Sequence, residues 1–158
     1  MSVGATTPSA RLAALGLELP EVVAPVAAYV PAVRSGAMVY TAGQLPIVSG
    51  QLVSTGKVGA QVGATEAAAL ARTCALNALA AAASAAGGLD AIARVVKVTG
   101  FVASAPDFTG QPQVVNGASE LLLEIFGDAG RHARSAVGMA VLPLDAPVEI
   151  ELIVEVRD

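Results

Sequence analysis

Arg131-His132-Ala133-Arg134-Ser135-Ala136-Val137-Gly138-Met139-Ala140-Val141-Leu142-Pro143, followed by Val148-Glu149-Ile150-Glu151-Leu152-Ile153-Val154-Glu155-Val156, is the stretch whose reading decides the fold. Its β-branched residues and period-two alternation describe two strands around a proline-containing turn. Each strand sets charge among small or apolar neighbours. A strand carrying Arg134 or Glu149 needs a solvated face, an ion partner or a ligand.

Side chains alternate across a strand. On the first strand Val137, Met139 and Val141 share one face, and Arg134, Ala136, Gly138 and Ala140 share the other. On the second, Val148, Ile150, Leu152, Val154 and Val156 oppose Glu149, Glu151, Ile153 and Glu155. The bulky apolar sets are expected to lie on helices, which leaves Arg134 and Glu149 together on a face of small residues. Pairing as a simple hairpin puts Arg134 opposite Glu155 and Glu149 opposite Ala140. Arg134 and Glu149 are then about six positions apart, roughly 20 Å, too far to share a small ligand within one chain. The plain alternative is an exposed Arg134–Glu155 ion pair.

Upstream, Pro8 to Leu15 predicts a short helix capped by Thr7 or Ser9 and closed by Gly16. Val26, Tyr29, Val30 and Val33 favour strand in a segment that Pro25 and Pro31 keep irregular or at a sheet edge. Met38–Thr41 is a short strand, and Ser49-Gly50 a hairpin turn leading into Gln51-Leu52-Val53. Thr65 is the expected N-cap of a helix reaching Ala86, where Gly87-Gly88 stops it. Arg94–Val102 is a β-branched strand, and Gln111–Phe126 a second major helix. The order implies an α+β domain, one dominant sheet backed by two helices. The 158 residues read as one domain with an N-terminal extension to about residue 20.

Composition narrows the function. With 54% hydrophobic and 14% charged residues the chain is expected to fold and to hide apolar surface in an oligomer interface. A net charge of −4 with no basic cluster argues against a nucleic-acid partner. The most apolar stretch, Cys74–Ala86, is short and Ala-rich, interrupted by Asn77 and Ser84, and no basic-then-apolar leader opens the chain. The expectation is a cytoplasmic protein without a membrane partner. One cysteine and one histidine give no metal cluster. Cys74 reads as a small core hydrophobe, His132 as a surface or packing residue, and Glu120 and Glu124 as a solvated face. Ser135 has no triad partner in view, and Gly127-Asp128-Ala129-Gly130 is a turn and not a phosphate loop.

Taken together, Gly43-Gln44-Leu45-Pro46, Asn116, Ala133-Arg134-Ser135, Leu142-Pro143 and Val148-Glu149-Ile150-Glu151 resemble the YjgF/RidA family of reactive intermediate deaminases, also labelled endoribonuclease L-PSP. The resemblance runs from about Tyr29 to Val156. It implies a chorismate-mutase-like fold, a homotrimer with clefts between subunits, and hydrolysis of small 2-imino or enamine acids without a cofactor. It further implies that Arg134 clamps the substrate carboxylate and Glu149 positions or activates water. Tyr29, Gly43, Asn116 and Ala136 are implied to line the site. Two departures change that lining: Ala136 stands where the well-known deaminases have cysteine, and Ala42 where they have serine. A non-catalytic trimer binding small metabolites is the second reading, and a ribonuclease the third.

Overall fold

The computed structural model describes residues 6–22 and 27–158. Its elements are helix α1 (Pro8–Ala14), strands β1 (Ala32–Ser35), β2 (Met38–Thr41), β3 (Ile47–Val48) and β4 (Gln51–Leu52), helix α2 (Ala64–Ala86), strand β5 (Ile92–Ala103), helix α3 (Gln111–Phe126), and strands β6 (Ala133–Met139) and β7 (Val148–Val156). The fold is α+β: a five-stranded mixed sheet in the order β1-β2-β7-β5-β6, with helices on one face. β3 and β4 form a separate hairpin.

The helix boundaries follow local chemistry. Thr7 caps α1, its side chain accepting from the Ala10 amide, and Gly16 follows at φ 73°. The start of α2 differs from expectation: Gly63 is the N-cap and Thr65 already lies inside the helix. Its end is as expected, Gly87 taking the left-handed conformation at φ 94°. By length and composition α2 is apolar enough to cross a membrane, because it begins well before the Cys74–Ala86 stretch. Most of it is buried in this domain instead, with Leu70, Cys74, Ala78 and Leu79 in the core. Alanine also lets α3 approach closely. A Cβ on Gly117 of α3 would run into the backbone carbonyl of Ala68. α3 in turn presses on the sheet, where Gly100 leaves space for Val115.

The strand order corrects the hairpin expected for β6 and β7. They do not pair. β7 lies third in the sheet, between β2 and β5, while β6 is an edge strand parallel to β5. Arg134 is level with Val98 of β5, and Glu155 pairs with Met38 and Arg94, so there is no Arg134–Glu155 pair. The physical reason lies in burial. β7 is buried at every second residue from Val148 to Val156 and profits from neighbours on both sides, whereas β6, rich in small residues, suits an edge.

A second correction concerns faces. Val148, Ile150, Leu152, Val154 and Val156 face the helices as expected. On β6 the assignment is inverted: Arg134 and Ala136 turn to the helix side, and Val137 and Met139 are exposed on the open face. Tyr29 and Val30 lie outside any strand and are exposed, Val33 is in β1, and Val26 falls outside the described residues.

Candidate functional site

Two clusters collect the residues singled out in the sequence. The first forms where the edge strand β6 passes α3. β6 has no outer neighbour, so Arg134 reaches past the sheet to the helix. Its Nη1 donates to Asn116 Oδ1 at 2.7 Å and Ser119 Oγ at 3.2 Å, and its Nη2 donates to the Pro112 carbonyl at 3.4 Å. Asn116 and Ser119 are three residues apart and therefore share a helix face. Ala136, two residues after Arg134, continues the same strand face and packs against the core edge. Gly138 comes next, where a Cβ would crowd the Gln111 carboxamide. A guanidinium above a strip of such small residues is a shape and charge fit for a small carboxylate.

The second cluster surrounds Glu149 near the start of β7. Gln44 exchanges both backbone hydrogen bonds with Ile150, which lays Gly43 against the strand. The Glu149 carboxyl fills the space a side chain on Gly43 would take. Burial pushes its pKa above the ordinary 4.5, and the neighbouring Glu151 pushes it further the same way. A carboxyl raised in this way holds a proton more readily than an ordinary one, which suits exchange of a proton with a reacting group. Beneath it, the Cys74 thiol lies 3.6 Å from the Val148 carbonyl in the core, and burial first and Glu149 second raise its pKa well above the ordinary thiol value.

The clusters lie on opposite faces of the sheet, which corrects the shared face expected for Arg134 and Glu149. Arg134 is level with Val98 and Glu149 with Phe101, across one intervening strand. Standard strand geometry makes their Cα atoms roughly 14 Å apart. Asn116, Arg134 and Ala136 are brought together, as are Gly43 and Glu149. Tyr29, 59% exposed, has no hydrogen bond to either group among the described residues.

Sequence reasoning did not single out Ser119, and it read His132 as a surface or packing residue. Ser119 Oγ is 2.9 Å from His132 Nε2, and His132 Nδ1 is 2.6 Å from the Gly130 carbonyl. The spacing of Asn116 and Ser119 was the available signal for the first. Nothing local linked His132 to Ser119. Glu124 is bonded to Arg72 at 3.1 Å rather than simply solvated. Among the described residues no group of His, Cys, Asp and Glu is placed to hold a metal ion. A separate cavity of about 670 Å³ lies between residues 18–22, residues 44–50 and α2, with Gln44, Thr73 and Asn77 in its wall.

With this geometry in view, comparison with known proteins is direct. Residues 9–156 match the family described as "YjgF/chorismate mutase-like, putative endoribonuclease". The chain belongs to this family. Protein TCP17 of Trypanosoma cruzi is 46% identical over 151 residues, covering 95% of this chain and 94% of that protein. The crystal structure of Atu1372 from Agrobacterium tumefaciens, a protein described as of unknown function, is 47% identical and superposes with a TM-score of 0.88 over 96% of this chain and 94% of its own. TdcF of Escherichia coli, solved with bound serine, is 26% identical with a TM-score of 0.61, covering 85% of this chain and 92% of its own.

Proposed function

We propose that this YjgF-family protein is a hydrolytic deaminase of small 2-imino or enamine acids, needing no cofactor and assembled as a homotrimer. Arg134 holds the substrate carboxylate through the guanidinium hydrogens its neighbours leave free. Glu149 takes a proton from water as the water oxygen bonds to the imine carbon and the C=N pair moves to nitrogen. Glu149 returns that proton to the nitrogen, giving a carbinolamine. The carboxylate then takes the carbinolamine hydroxyl proton and passes it to the same nitrogen, the C–N bond breaks, ammonia leaves, and the hydroxyl oxygen's electron pair closes the carbonyl of the 2-oxo acid. Arg134 and Glu149 on opposite faces of one chain call for Glu149 from a neighbouring subunit at each Arg134. The exposed sheet face that carries Val137 and Met139 offers the apolar area such an assembly needs.

The observation that carries the reading is the Glu149 carboxyl: half-buried, raised in pKa, and without a hydrogen-bond partner among the described residues. The serine bound to TdcF, an amino acid with a carboxylate, supports the substrate class. The test is a coupled assay in which 2-iminopropionate and larger 2-imino acids are generated in situ and their decay followed. Wild type accelerates loss of at least one of them, and both Arg134→Ala and Glu149→Gln abolish the acceleration. Full activity in Arg134→Ala overturns the reading.

A second reading, a trimer that binds small carboxylates without turning them over, draws on Ala136 in place of the family's cysteine. Tight binding with no turnover of any imine tested favours it. The endoribonuclease in the family's name is disfavoured here by the net charge of −4 and the absence of a basic cluster in the sequence.

A further inference from the structure

The guanidinium of Arg134 has five N–H donors in a fixed plane. Two, on Nη1, go to Asn116 and Ser119, and one, on Nη2, goes to Pro112. The Nε hydrogen and one Nη2 hydrogen remain for a ligand. What the guanidinium offers is therefore decided by what holds Nη1, and the Ser119 side of that hold does not end at Ser119.

The Gly130 carbonyl accepts only, so His132 Nδ1 carries a hydrogen and donates it. In the neutral ring that makes Nε2 an acceptor. The Ser119 hydroxyl hydrogen is then directed to Nε2, which turns an oxygen lone pair of Ser119 towards Arg134 Nη1. Every donor in the chain of groups Arg134–Ser119–His132–Gly130 meets an acceptor, and only one assignment of hydrogens satisfies all of them. Without Ser119, the guanidinium plane would be held only by Asn116 on Nη1 and by the longer 3.4 Å bond to Pro112 on Nη2.

We propose that His132 and Ser119 are positioning residues for Arg134: together they fix the hydroxyl direction that pins Nη1 and so present the remaining Nε and Nη2 hydrogens to a small carboxylate. Neither residue touches the ligand. The inference rests on the reading of Arg134 as a carboxylate clamp.

The test uses full-length ¹⁵N-labelled protein near neutral pH, with pyruvate as the probe. In wild type, the ¹⁵N spectrum shows His132 as the Nδ1–H tautomer, and the Arg134 Nη1 hydrogens are resolved because rotation about the Cζ–Nη1 bond is slow. Ser119→Ala collapses those signals and weakens pyruvate binding roughly tenfold, as loss of a hydrogen bond to a charged group predicts. Ser119→Thr, which keeps the hydroxyl, restores both. His132→Phe, which keeps bulk and removes the acceptor, reproduces the Ser119→Ala spectrum. A protonated Nε2 in wild type, or Arg134 signals unchanged in both Ser119→Ala and His132→Phe, overturns the proposal. Pyruvate binding indifferent to Arg134→Ala overturns the clamp reading instead, and the tautomer and guanidinium signals still decide the positioning one.

Discussion

The carboxyl of Glu149 occupies the volume that a side chain on Gly43 would need, although the two residues are far apart in sequence and on different segments. The glycine is thus a requirement of the carboxyl's position. Gly43→Ala forces the far end of a flexible side chain to move, which is cheap for the fold. The expected result is a small change in melting temperature with at least a tenfold fall in imine turnover, since a positioned acid/base group is worth about a hundredfold or more. A large fall in melting temperature with turnover per folded molecule unchanged would show Gly43 to be structural only.

The raised pKa of Glu149 has a sign that calorimetry can read. The folded protein binds this proton more tightly than the unfolded chain, so stability falls as pH rises from the ordinary 4.5 through the folded value, and the penalty is complete above it. Glu149→Gln removes the penalty. It should melt higher than wild type near neutral pH, with the gap closing as pH is lowered towards 4.5. In the activity profile, the acid limb should lie above the ordinary 4.5, and Glu151→Gln should move it lower.

Subunit sharing can be tested by mixing. If each site takes Arg134 from one chain and Glu149 from the next, then Arg134→Ala and Glu149→Gln chains, inactive apart, regain activity when unfolded and reassembled together. Random assembly leaves about a quarter of sites intact. No recovery from verified mixed oligomers would place both residues' contributions within one chain.

Cys74 should be inert in the folded protein. Its thiol is buried and its pKa raised, so the reactive thiolate is scarce. A thiol-specific dye is expected to label it only after denaturation. Rapid labelling of native protein would contradict the core position.

Gly117→Ala tests the fold itself. The added methyl would meet the Ala68 backbone carbonyl, which has no side-chain freedom to yield, so α2 and α3 must separate slightly. Overpacking of this kind costs about 1–3 kcal/mol, and chemical denaturation would measure it.

Much of the fold was legible because its signals are local. Met38–Thr41 and Gln111–Phe126 have the predicted ends, and Gly87 stops α2 by its backbone freedom. Strand order was not, because proximity in sequence suggested a β6–β7 hairpin. The succession β5, α3, β6 already argued otherwise, since a strand, a helix and a strand usually make a parallel pair. That pairing puts β6 at the edge and turns Arg134 towards α3. Asn116 and Ser119 were recoverable from helical spacing. The meeting of Gly43 with Glu149 was not, because it depends on Gln44 bridging to Ile150, which no local pattern announces.

The place of β7 has a consequence for how the molecule comes to be. It follows every strand it pairs with, yet it separates β2 from β5. Before β7 emerges during synthesis, β1 and β2 have no sheet to join, and α2, which packs on both α3 and β7, has only α3 to lie on. Up to that point the nascent chain holds an apolar helix of 23 residues whose sheet-facing side is uncovered. Folding is therefore expected to be late and abrupt, with the sheet closing from its middle as β7 arrives, and with the unfinished chain most in need of protection just before.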